Sequence, residues 1–190
     1  MKLTELHVAD PPGRWEALGF EVRDATCELG GIAVRLGGDG EGITSWAIDG
    51  IDETDIDGLR TAPAGAPSMP QSHPNGATGI DHIVILTPDF GRTTKALADL
   101  GIPLRRIRET DSLHQGFRRL GPAILELVEA PGEGPARFWG LVVVVSDLDV
   151  LAARLGDQLG KIRDAVQPGR RIATLRQSAG LGEAVAFMTP

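Results

Sequence analysis

The sequence predicts an α+β protein assembled from a tandem of β-α-β-β-β units, and three observations carry that expectation. The first is internal similarity. GIDHIVILTPDF is followed by GRTTKALADLG, WGLVVVVSDLD by VLAARLG, and LTELHVAD by PPGRWEALG. Each is a β-like run ending in aspartate, then a short helical segment closed by Leu-Gly; a supersecondary pattern that recurs fixes the architecture. The second is that strand-like sequence follows every helix. The third is punctuation: Pro168-Gly169 and the glycines from Gly180 to Gly182 separate those strands as turns do.

The elements follow in order. Asp10, Asp89 and Asp147 suit helix N-termini, where a carboxylate accepts an orphan backbone N–H and meets the positive end of the dipole. Gly19, Gly101 and Gly156 suit the left-handed residue that stops a helix. From aspartate to closing leucine is eight residues in the first and third copies (Asp10 to Leu18, Asp147 to Leu155) and eleven in the second (Asp89 to Leu100). The difference is close to one helical turn, which keeps the buried face buried. The strands expected after the helices are FEVRDATCELG, GIAVRLGG and GITSWAIDGI in the first unit, IPLRRIRET, LHQGFRRLG and PAILELVEAP in the second, and KIRDAVQPG, RRIATLRQS and EAVAFMTP in the third. The units are thus residues 1–52, 79–131 and 132–190. Residues 53–78, rich in Pro, Gly and small polar residues, read as a linker, with His73 beside Pro74 inside it. GGDGEG (37–42) lies between two strands and reads as a hairpin turn, not as the strand-to-helix loop that cradles phosphate.

Bulk properties exclude several classes. A chain of 190 residues buries a sizeable core without staples, and its one cysteine, Cys27, has no intrachain partner and reads as an apolar filler on a strand, so a cytoplasmic address is expected. No leader-like segment or long apolar run points to export or a membrane. A net charge of −7 repels phosphate backbones and argues against nucleic acid as a partner. The arginines nonetheless gather in the second half, which leaves room for a local anion site. No GxSxG motif and no CxxC pair is present.

The tandem units, the DH that opens the second and the ILELVE that closes it resemble the vicinal oxygen chelate superfamily, which includes glyoxalase I, bleomycin-resistance proteins, extradiol dioxygenases and methylmalonyl-CoA epimerase. Residues 79–190 carry the resemblance; residues 1–52 look like a shorter, divergent copy. It implies that units two and three pair into a curved, barrel-like mixed sheet whose concave face encloses a substrate or a divalent metal. It also implies ligand positions on the first and last strand of each unit. Those positions fall on His82 and Glu126 in the second unit, and on Gly140 and Ala186, which carry no donor atom, in the third. His114 and Gln115 are substitutes from a neighbouring strand.

Read from the residues alone, His82 is a polar side chain at a strand mouth, whereas Glu126 shares a strand face with Ile124 and Val128 and so needs a stabilising partner: a metal, His82, an arginine or water. Trp139, with Phe138, suits a stacking wall; Trp15 and Trp46 suit the core. Among the arginines, Arg118 and Arg119 divide between faces, as do Arg171 and Arg176, and Arg119, Arg171 and Arg176 are taken as candidates to clamp a carboxylate. The expected function is binding of a small, anionic or aromatic metabolite in a concave cavity, with no resident cofactor and with His82 and Glu126 as an acid-base pair. The alternative is a divalent-metal lyase, epimerase or dioxygenase holding its metal on His82 and Glu126. A homodimer is expected, because a lone first unit leaves a curved sheet uncovered.

Overall fold

The computed structural model describes residues 1–66, 69–110 and 113–190. In the second unit, β7 (Ala77–Thr87), α2 (Phe90–Asp99), β8 (Arg106–Thr110), β9 (Leu113–Leu120) and β10 (Ala123–Glu129) succeed one another. The third unit repeats the series with β11 (Arg137–Val145), α3 (Leu148–Leu155), β12 (Arg163–Asp164), β13 (Arg171–Thr174) and β14 (Ala184–Met188). Both run β-α-β-β-β. Their strands form one eight-stranded mixed sheet in the order β12-β13-β14-β11-β7-β10-β9-β8, joined where β11 and β7 pair antiparallel. In each unit the first strand lies parallel to the last, as β7 to β10 and β11 to β14.

Two of the aspartates act as expected. Asp89 accepts the backbone N–H of Arg92, and Asp147 those of Asp149 and Val150. Asp10 does not cap its helix: α1 (Pro12–Ala17) starts from Pro11, whose fixed φ already suits a first turn. Released from that task, Asp10 reaches the third unit and accepts from the Gly182 N–H at 2.8 Å.

The first unit has its own strand order. Its sheet runs β2-β3-β1-β4, from β1 (Leu3–Val8), β2 (Thr26–Glu28), β3 (Ala33–Leu36) and β4 (Ile43–Ile48). The strand parallel to β1 is β3, while β4 crosses to the other side of β1 and pairs antiparallel, the place β11 takes beside β7. Residues 37–42 therefore join two strands that flank β1 and are not a hairpin turn. One face of this sheet (Leu6, Val8, Val34, Trp46) is fully buried in a core cluster continuous with that of the other units. Phe20 stacks on Phe187 and Trp46 meets Phe138 edge-on, with centroids 6.1 and 5.4 Å apart.

Its other face is polar, and the segment expected to be a linker covers it. The Gly65 N–H donates to Glu5 at 2.7 Å, Arg35 pairs with Glu5 at 3.0 Å, and Gln71 exchanges hydrogen bonds with Glu28 on the edge of β2. His73 lies between the Glu21 N–H and the Glu28 carbonyl, buried and structural. The same segment opens with a hairpin, β5 (Asp55–Ile56) and β6 (Leu59–Arg60), turning through Asp57 and Gly58 at positive φ, the left-handed geometry two-residue hairpins favour. The Asp57 carboxylate takes the Arg92 guanidinium at 2.7 Å and the Thr93 hydroxyl, tying the hairpin to α2. The uncovered face that suggested a second copy of the chain is thus covered from within. Among the described residues no helix is long and apolar enough to cross a membrane.

Candidate functional site

Alternation along the strands of the large sheet decides what faces the hollow. Ile83, Ile85, Leu125 and Leu127 point away from it and are fully buried. His82, Val84, Leu86, Glu126 and Val128 point into it and line a cavity of about 470 Å³ with Trp139, Val142, Arg163, Ile172, Thr174 and Ala186. The wall is mostly apolar, with its ionisable groups gathered at two places.

His82 is held from both sides. Its Nδ1 lies 2.8 Å from an Asp81 oxygen and its Nε2 3.1 Å from a Glu126 oxygen. A neutral imidazole satisfies one such carboxylate; a ring protonated on both nitrogens satisfies both. Gln115 on β9 donates to the other Glu126 oxygen, and Arg170 pairs with the other Asp81 oxygen at 2.7 Å while bonding the Thr189 carbonyl. The result is a chain Arg170–Asp81–His82–Glu126–Gln115 crossing from the third unit to the second. His82 and then Arg170 hold the Asp81 carboxyl below the usual carboxylate range, against the opposing effect of burial. Glu126 on its apolar strand face therefore finds its partner in His82.

The strand register tests the implied metal. The parallel pairs His82–Ile124 and Val84–Glu126 recur as Gly140–Ala184 and Val142–Ala186, so Gly140 and Ala186 occupy the third unit's counterparts of His82 and Glu126. A β-carbon at Gly140 would collide with the Ala184 carbonyl oxygen. The backbone itself leaves no room for a donor side chain, and Ala186 offers a methyl group. His114 faces away from the hollow, paired with Glu109 and Glu129 beside the Phe90 ring. Two side-chain donors do not match the three or four of a zinc site. Among the described residues no group of three or more His, Cys, Asp or Glu side chains is arranged around a metal position.

The other candidates separate. Trp139, 47% exposed, stands at the cavity wall. Arg171 is outside, paired with Asp149 at 2.7 Å, and Arg119 turns to the carbonyls of Gly121 and Pro122 in its own turn. Arg176 lines a second cavity, of about 690 Å³, between the first and third units. Cys27 is fully buried on β2, and burial pushes its thiol up. Arg163, Asp81 and Arg170 escaped the sequence reading. Asp81 was visible as the partner half of Asp-His, but Arg163 and Arg170 flank a turn whose register only the folded sheet fixes.

No protein-family model and no curated protein matches the chain. Among solved structures, methylmalonyl-CoA epimerase from Mycobacterium tuberculosis superposes with a TM-score of 0.50 at 22% identity, covering 60% of this chain and 89% of that one. A Streptomyces coelicolor methylmalonyl-CoA epimerase variant in complex with 2-nitronate-propionyl-CoA follows at 0.48 and 20%, covering 60% and 94%. A hypothetical protein from Bacillus halodurans reaches 0.48 at 16%, covering 58% and 93%. The fold is that of the vicinal oxygen chelate superfamily.

Proposed function

We propose that the protein binds a small, largely apolar or aromatic metabolite in the 470 Å³ cavity without a metal, and that the His82–Glu126 pair makes the polar contact. The observation that supports this is the third unit's half of the site: a glycine that admits no β-carbon and an alanine. Apolar walls supply affinity and a few polar groups supply orientation, the usual division in small-molecule sites. An imidazolium against a carboxylate can also lend a proton to a ligand oxygen and take it back, so acid-base chemistry at His82 Nε2 is within reach of the same arrangement.

Two measurements on untagged protein, purified without chelator, test the proposal. Elemental analysis is expected to find no stoichiometric divalent metal. Thermal-shift screening of aromatic and carboxylate metabolites is expected to give stabilising ligands whose effect shrinks in His82→Ala and disappears in Val142→Phe, which fills the cavity floor. A stoichiometric ion lost in His82→Ala, or ligands indifferent to Val142→Phe, overturns it.

A further inference from the structure

The two cavities meet. Trp139, Thr174 and Ala184 line both, so the apolar chamber holding His82 and Glu126 borders the larger space between the first and third units. Charge along this groove differs from that of the molecule as a whole. The arginines in ion pairs among the described residues are Arg23, Arg35, Arg92, Arg170 and Arg171. Arg163 in the inner chamber, and Arg137 and Arg176 in the outer one, are not among them. The carboxylates of the groove are mostly committed or neutral: Glu126 is engaged by His82 and Gln115, and burial with the neighbouring Asp10 pushes Glu183 up to about 8. Glu41 is the remaining acid in the wall. A chain of net charge −7 thus places three solvent-exposed guanidinium groups, with no ion-pair partner among the described residues, along one groove.

We infer that the outer chamber is an oxyanion subsite, in which Arg137 and Arg176 hold the phosphate or carboxylate of a ligand whose apolar body passes Trp139 into the inner chamber. The exposed Trp139 ring is then the neck between the two halves, stacking on the ligand where it turns from apolar to charged. Guanidinium groups suit this task because their planar forks match oxyanions bidentately. The inference rests on the inner chamber accepting an apolar body, as proposed above, and the probes keep the two ideas apart.

Calorimetric titration of the full chain with 2-naphthol, 2-naphthyl phosphate and inorganic phosphate provides the test. Naphthyl phosphate is expected to bind at least about tenfold more tightly than naphthol, a margin of one charge-assisted contact. The margin is expected to collapse in the Arg137→Ala/Arg176→Ala double variant and to shrink with added salt, while naphthol affinity stays unchanged. If naphthol binds and the phosphate adds nothing, or if the margin survives the double variant, the oxyanion subsite is overturned and the apolar chamber stands. A margin lost in Arg163→Ala instead places the anion in the inner chamber and also overturns the outer subsite. Binding of naphthyl phosphate that needs Arg137 and Arg176, without binding of naphthol, supports the subsite and sinks the apolar chamber. Binding of neither aromatic probe overturns both.

Discussion

Glu183 sits just before β14 on the side facing the first unit, 8% exposed, with both carboxyl oxygens lacking a hydrogen-bond partner among the described residues. Burial, and then the negative charge of Asp10, raise it to about 8 from an ordinary 4.5. The folded state therefore keeps a proton that the unfolded chain has released, and stability falls as pH rises from about 4.5 towards 8, then levels. The slope expected from this one group is about 1.4 kcal/mol per pH unit. Urea denaturation at stepped pH is expected to show that decline in the native chain and its loss in Glu183→Gln; an unchanged slope in the variant refutes it. Asp81 has the opposite sign: its lowered carboxyl contributes stability above the ordinary carboxylate range that is lost as pH falls through the folded value.

Among the elements, the three Asp-initiated helices share a sequence signature and divide in use. Asp147 accepts two backbone N–H groups at 3.0 Å, and Asp89 accepts one at 2.9 Å. Replacing either by alanine is expected to cost about 1 kcal/mol in a denaturation midpoint analysis, the usual value of a lost cap; a change near zero for both contradicts the capping role. The repeat was legible because β7, β11 and their helices are local patterns. Arg171 was misplaced because odd or even spacing tells only that two side chains oppose each other, not which one faces the hollow. The β4 crossover was illegible for a related reason: GITSWAIDGI reads as a strand whichever side of β1 it joins, and pairing is decided by partners far away in sequence. Gly140 within β11, by contrast, declared its lack of a donor at once, although only the folded sheet shows that no donor would fit.

For the molecule as a whole, one apolar cluster runs through all three units, containing Leu6 and Trp46 from the first, Ile83 and Leu125 from the second, and Val143 and Phe187 from the third. Units that share a core unfold together. Differential scanning calorimetry is expected to give a single transition with agreeing calorimetric and van't Hoff enthalpies; two resolved transitions would show that the first unit melts independently. The large sheet and the hollow could be anticipated from the resemblance of residues 79–190. How the first unit closes could not, since it depends on Gly65, Gln71 and His73 finding strands dozens of residues upstream.

That closure has a mechanical consequence. Both rims of the four-stranded sheet are occupied by one stretch of chain: Thr61 and Ala62 lie along β4, and Gln71 mimics a neighbouring strand beside β2. A strand rim left bare invites another chain to zip onto it. A protease cut between Ala62 and Gln71 would leave every residue of the hollow in place and still convert a self-limited surface into a sticky one, so precipitation after nicking should precede any loss of ligand.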